Sequence, residues 1–295
     1  MNFTQLEIYG NYCEKTYRLG FSRHFEWVDF NLELSSHLFE AGDRKAIAID
    51  PSYISKSGKH TQGVGRFWSG CAQQAKHGLE ILGIGLIDID KKDCVSVKAV
   101  QTPSPKSLSD CGVSMVGWYL TSILNLRDKL IQHSRHIVAD AYFAVHDFAN
   151  GLEEHGFHLV SRFRSDADLR YLYQGGRIGK KGRPKLYDGK INFKDLDPDK
   201  VSKVNLSPDE GDFFTTIAYS KSLKRNVRLV VFQSKDGKPI LYFYTDTKMS
   251  AKNIVEYYRT RFQIEFCYQD GKQLTGLCDC LTRDFKSWIS YLTRL

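Results

Sequence analysis

"KAIAID", residues 45–50, decides the fold class: four apolar residues run without interruption between Lys45 and Asp50. An unbroken apolar run of strand length marks a strand covered on both faces, as in sheets with helices packed against them. The pattern returns at "HIVADAYF", residues 136–143, where a second short apolar run ends in Asp140. Between the two, "LEILGIGLIDIDKKDCVSVKAVQ" (79–101) predicts two strands around the acidic turn "DIDKKD", a hairpin. In "VGWYLTSILNLRDKLI" (116–131), Val116, Leu120, Ile123 and Leu124 recur at helical spacing and predict one helix. A helix over about 145–155 and a strand at "FHLVSRF" (157–163) continue the alternation. Strand, hairpin, helix, strand, helix, strand is an α/β order: a mixed sheet flanked by helices.

The alternation stops near residue 165. "QGGRIGKKGRPKLYDGK" (174–190) is basic and Gly-rich and reads as a loop. Strands are predicted at "FFTTIAYS" (213–220), "RNVRLVVFQS" (225–234) and "PILYFYTD" (239–246), the last two joined by "KDGK", whose Asp-Gly favours a tight turn. Ser250 is the predicted N-cap of one long helix over "NIVEYYRTRFQIEFCYQDGKQ", residues 253–273. Residues 1–40 read as short helices forming a packed cap. Their net charge of −3 counts against a faint helix-turn-helix pattern. The expected segments are therefore an N-terminal helical region (1–40), the first part of a core (41–165), a basic β-rich segment (166–245), and a core helix with a short C-terminal tail (246–295).

Composition narrows the function classes. The chain has 295 residues, 42% hydrophobic and 26% charged, which is the globular range. Its net charge is +8, and residues 161–240 alone carry +8, from 18 basic and 10 acidic side chains. The most apolar stretch, "ILGIGLI" (81–87), is only strand-sized and the first ten residues lack a basic lead, so neither a signal peptide nor a membrane span is expected. Seven scattered cysteines suit reduced thiols in a cytoplasmic setting. Cys267, Cys278 and Cys280 lack the paired spacing of a zinc site. "SGKHT" (57–61) fails as a phosphate loop, with Tyr53 where glycine is required and His60 after the lysine. His133 and His136 do not form H-E-x-x-H, and no G-x-S-x-G occurs.

On a continuous helix, Tyr258, Arg261, Glu265 and Lys272 would fall within about 60° of one another along about 21 Å. Taken alone this is a solvated face with an (i, i+4) Arg261–Glu265 pair. Asp50 and Asp140 change the balance, because each closes an apolar strand and ligand-binding residues gather beyond strand ends in α/β sheets. Three carboxylates make an all-oxygen site suited to Mg²⁺ or Mn²⁺. Two such ions about 4 Å apart can activate a water or sugar hydroxyl and stabilise the leaving oxygen of a phosphodiester. Arg261 and Lys272 could then hold phosphates, with Tyr258 donating a hydrogen bond or stacking. Lys181, Arg183 and Lys185 in "KKGRPK" would contact DNA backbone, and Lys181-Gly182-Arg183-Pro184 resembles a minor-groove hook.

The spacing Tyr, two residues, Arg, three residues, Glu, six residues, Lys resembles the signature of DDE transposases of the insertion-sequence-four group. "AIAIDPSYISKSGK" resembles that family's first-aspartate block and "IVADAYFA" its second; "SRFRSDADLRYLY" followed by "GRPKLYDGK" looks like the opening of its β-rich insertion. The resemblance spans roughly residues 40–280. It implies a ribonuclease-H-like core with the β-rich insertion between the second aspartate and the catalytic glutamate. It also implies a site of two Mg²⁺ or Mn²⁺ ions held by Asp50, Asp140 and Glu265, and cut-and-paste transposition. In relatives, metal-activated water nicks the transposon end and the freed 3′-hydroxyl attacks the other strand before joining target DNA. Implied partners are double-stranded DNA, both transposon ends and target, and a second copy of the chain in the DNA complex, in a prokaryotic nucleoid. Only 23 residues follow Lys272, and relatives often continue further, so a shortened copy is an expectation as well. The alternatives are a non-catalytic DNA-binding descendant and another ribonuclease-H-like endonuclease.

Overall fold

The structure, a computed structural model, describes residues 3–58, 61–176, 184–206, 211–234, 237–274 and 277. The chain divides into two compact units: Met1–Arg44, Ala48–Ile123 and Phe262–Leu295 form the first, and Lys45–Ile47 with Leu124–Arg261 the second.

The first unit opens with helices α1 (Phe3–Tyr9), α2 (Glu14–Ser22) and α3 (Trp27–Leu38). It then contains most of β1 (Lys45–Ile54), β2 (Gly65–Ser69), β3 (Gln74–Asp88), β4 (Asp93–Gln101), α4 (Pro105–Asp110) and most of α5 (Met115–Leu124). Strand β3 is its spine, pairing antiparallel with β2 on one side and with the hairpin partner β4. The expected 79–101 hairpin is present. Its turn is closed by the Asp88 carboxylate, which accepts from the N–H groups of Asp90 (2.8 Å) and Lys91 (2.9 Å). Strand β2 was not foreseen, because "GRFWS" lies inside a polar, Gly-rich stretch. The apolar run "ILGIGLI" is buried, with Ile81, Leu82, Ile84, Leu86 and Ile87 in the core. Glu80 is buried beside it. The Tyr119 hydroxyl donates to its carboxylate at 2.5 Å, and burial raises the Glu80 pKa. Helix α3 covers β4, burying Val28 and Leu32 while Asn31 donates to the Val97 carbonyl at 3.2 Å.

The second unit continues with α6 (Arg127–Leu130), β5 (His136–Val138), a 3₁₀ turn (Ala141–Phe143), α7 (His146–Glu154) and β6 (His158–Phe163). Strands β7 (Leu169–Leu172), β8 (Tyr187–Lys190), β9 (Ser202–Val204), β10 (Gly211–Ser220), β11 (Arg225–Ser234) and β12 (Ile240–Tyr244) precede α8 (Ala251–Thr260). Strands β5 and β6 are parallel. From β6 the order β6-β12-β11-β10-β7-β8 is antiparallel throughout, so the sheet is mixed. Helix α8 packs on β6, β11 and β12. Phe143, Phe148, Phe157 and Phe243 are fully buried in this unit, and Phe163 stacks on Phe243 with ring centres 4.1 Å apart. The chain then returns to the first unit in α9 (Gln263–Gln273). No described helix is long and apolar enough to cross a membrane.

Four expectations are corrected. Strand β1 does not end at Asp50 but runs on to Ile54; a proline biases the residue before it toward extended backbone, and Pro51 thereby carries Asp50 through. The helix expected over 116–131 is two, α5 and α6, parted at Asn125 and Leu126. The segment 174–190, expected to be all loop, ends in β8, which pairs with β7 through Leu172↔Tyr187 and Arg170↔Lys190. Strand β8 is the last in its sheet, and an edge strand needs no apolar alternation and tolerates exposed lysines. The single helix expected over 253–273 is α8 and α9, interrupted at Arg261 and Phe262. There, Arg261 N–H bonds the Tyr258 carbonyl (3.2 Å) and Glu265 N–H the Phe262 carbonyl (3.0 Å), closing over three residues instead of four. The stripe calculated for one cylinder is thus split between two helices.

Candidate active site

Ala46–Ile49 of β1 are fully buried, and Asp50, in the first unit, is the first residue after them to emerge from the core. Helix α9 is fastened to this part of β1 by two side chains four residues apart. The Tyr268 hydroxyl donates to the Asp50 carbonyl, and Lys272 Nζ donates to Ser52 Oγ at 3.2 Å. Glu265 precedes these residues by three and seven positions, so it shares their face of α9. It is half-buried and lies in the first turn of α9, where a carboxylate is favoured by the helix dipole. Asp50, Ser52, Glu265, Tyr268 and Lys272 therefore belong to one β1–α9 junction.

In the second unit, Asp140 lies two residues beyond β5 and caps the 3₁₀ turn, its Oδ1 accepting from Tyr142 N–H at 2.9 Å. Its carbonyl accepts from Ser161 Oγ of β6 at 2.7 Å. Tyr258 of α8 packs against Tyr242 of β12, with ring centres 5.2 Å apart, and the Arg261 guanidinium lies 6.0 Å from the Tyr258 ring centre. Burial raises the Tyr258 hydroxyl pKa; Arg162 and Arg261 oppose that shift, and the negative charge of Asp140 adds to it. Asp140, Arg162 and Arg261 thus all act on Tyr258. Arg162 was not singled out from the sequence. Its one signal there is a basic residue inside the strand-like run "FHLVSRF", and the register sets it opposite Tyr242.

The basic loop gives less. Lys181 and Arg183 lie outside the described residues. Lys185 pairs with Asp188 at 2.6 Å and sits 4.7 Å from the centre of the Tyr173 ring. Lys185 and Lys200 together bring the Asp188 pKa down to about 2. Cys267 donates to the Cys94 carbonyl at 3.5 Å and both are free thiols; Cys278 and Cys280 lie outside the described residues. Among the described residues, no group of three His, Cys, Asp or Glu side chains could hold a metal ion. Asp50 and Glu265 belong to the first unit and Asp140 to the second.

No curated protein matches the chain. The family described as the transposase DDE domain matches residues 119–287, which take in Asp140, Tyr258, Arg261, Glu265 and Lys272 and leave Asp50 outside. That match covers more than half of the 295 residues. The chain belongs to the DDE transposase family.

Proposed function

We propose that the protein is a cut-and-paste transposase of the insertion-sequence-four group, with a ribonuclease-H-like core interrupted by a basic β-rich insertion. Asp50, Asp140 and Glu265 would hold Mg²⁺ or Mn²⁺, two ions per site. The observation that carries this reading is the fastening of α9 to β1, which turns the face bearing Glu265 toward the strand bearing Asp50. In chemical type the donors suit the group, since carboxylate oxygens at residues emerging from the core are what hard divalent cations take. Among the described residues, however, the three are not gathered into one metal-holding cluster, so the reading requires them to come together when metal and DNA bind. When bound, the metal would supply an activated water and charge stabilisation at the scissile phosphate.

The chain's own residues supply the grip. Arg261 and Arg162 offer planar donors for phosphate oxygens. The raised pKa of Tyr258 keeps its hydroxyl protonated at neutral pH, so it can donate to the same phosphate. Lys272, oriented by Ser52, adds a fourth positive or donating group. Lys181, Arg183 and Lys185 would follow the DNA backbone, although Lys185 must first leave Asp188. Double-stranded DNA is the partner, as transposon ends and target, with a second copy of the chain in that complex, in the cytoplasm at a prokaryotic nucleoid.

Incubation with Mg²⁺ and DNA cloned from both flanks of the reading frame, where the proposal expects inverted repeats, tests it. Joining of cut ends to a second DNA is the expected product. Ends that are cut and released but never joined would indicate a plain endonuclease, and intact DNA a non-catalytic binder.

A further inference from the structure

Helix α9 carries a tyrosine whose hydroxyl joins three elements. Tyr268 donates to the carbonyl of Asp50 on β1 and accepts from the N–H of Gly83 on β3 at 2.8 Å. Strands β1 and β3 are neighbours, so the phenol stands between a carbonyl and an amide of adjacent strands. Gly83 is fitted to this arrangement: a Cβ there would run into the Tyr268 hydroxyl. A glycine inside a strand weakens it and often marks the close approach of another group. The peptide that Tyr268 grips is also unusual. Asp50 precedes Pro51, so this peptide has no N–H, and the carbonyl of Asp50 is its one hydrogen-bonding handle.

We infer that Tyr268 is a positioning residue for the divalent-metal site: its hydroxyl sets the peptide from which the Asp50 carboxylate projects and, through α9, the placement of Glu265. This rests on the assignment of Asp50 and Glu265 as metal ligands. Groups that orient metal ligands from behind commonly change metal affinity by about 10–100-fold when removed.

The test is Mn²⁺ titration of the full chain, with free Mn²⁺ followed by electron paramagnetic resonance, in wild type, Asp50→Asn and Tyr268→Phe. Thermal melting of each protein is recorded alongside. Asp50→Asn is expected to lose binding, and Tyr268→Phe, which keeps the ring, to weaken it by about 10-fold or more. Equal binding by wild type and Asp50→Asn would remove the ligand assignment itself. Loss in Asp50→Asn with wild-type affinity in Tyr268→Phe would overturn the role of Tyr268 alone, leaving the assignment intact. A purely structural role would lower the melting temperature and leave the affinity of the folded protein unchanged. If Tyr268→Phe does not fold, Gly83→Ala, which keeps the phenol but pushes its hydroxyl aside, is expected to weaken Mn²⁺ likewise; wild-type affinity there overturns the inference. Failure of both to fold makes the bridge a folding element only and overturns it too.

Discussion

Asp50→Asn, Asp140→Asn and Glu265→Gln are each expected to lower metal-dependent cleavage of transposon-end DNA by on the order of 10³-fold or more. The carboxylate-to-amide change removes the negative charge proposed to bind metal while keeping shape. A catalytic metal supplies several kcal/mol of transition-state stabilisation, and each 1.36 kcal/mol is a factor of about ten in rate. The substitutions are mild toward the fold. At position 140 the amide oxygen of asparagine can still accept from Tyr142 N–H, so the turn keeps its cap. Asp50 is held through its main-chain carbonyl, which the substitution leaves in place. Binding of uncut DNA and circular dichroism are therefore expected to stay near wild type while single-turnover cleavage collapses. Full cleavage by any one of the three would remove that residue from the proposed metal site.

Phe243→Ala is expected to destabilise the second unit by about 3–5 kcal/mol, the usual cost of emptying a phenylalanine-sized space in a core. Phe243 is fully buried on β12, which lies between β6 and β11, and its ring stacks on Phe163. Its neighbours in sequence point to the opposite face of the sheet. There Tyr242 supports Tyr258, and Tyr244 shares a 2.7 Å hydrogen bond with His136 Nδ1. Loss of the Phe163–Phe243 stack thus undermines the strand that backs Tyr258. A stability of about 5–15 kcal/mol is typical of a domain, so the change consumes a large share of it. Urea unfolding should show a lower midpoint, with Phe243→Leu in between. A midpoint corresponding to less than about 1 kcal/mol of loss would mean that this core collapses around the gap.

The sequence is most informative where burial is complete. "KAIAID" and the first three residues of "HIVADAYF" are legible as strands because their apolar residues are covered on both faces, although β5 stops at Val138 and Ala141–Phe143 form a 3₁₀ turn. The 79–101 hairpin is legible because an acidic turn separates a fully buried apolar run from a β-branched, partly buried one. Legibility fails at edges and interruptions. Strand β8 is polar because it has one strand neighbour, and the second half of β1 escapes notice because its burial becomes partial at Asp50. The break at Arg261 and Phe262 has no glycine or proline to announce it, only a change in hydrogen-bond closure. Among candidate site residues, Tyr258, Arg261, Glu265 and Lys272 stand out through their spacing. Arg162 and Tyr268 do not, since one depends on strand register and the other on a single bond across 218 positions of sequence.

The most direct measurement replaces the divalent ion with Fe²⁺ and uses ascorbate and peroxide to generate hydroxyl radicals, which cut the backbone close to the bound metal. Cuts around Asp50, Asp140 and Glu265 together, suppressed by excess Mg²⁺ and lost in Asp50→Asn, are the predicted result. Cuts that spare any one of these three positions, or that persist in Asp50→Asn, would contradict the assignment of a three-carboxylate metal site.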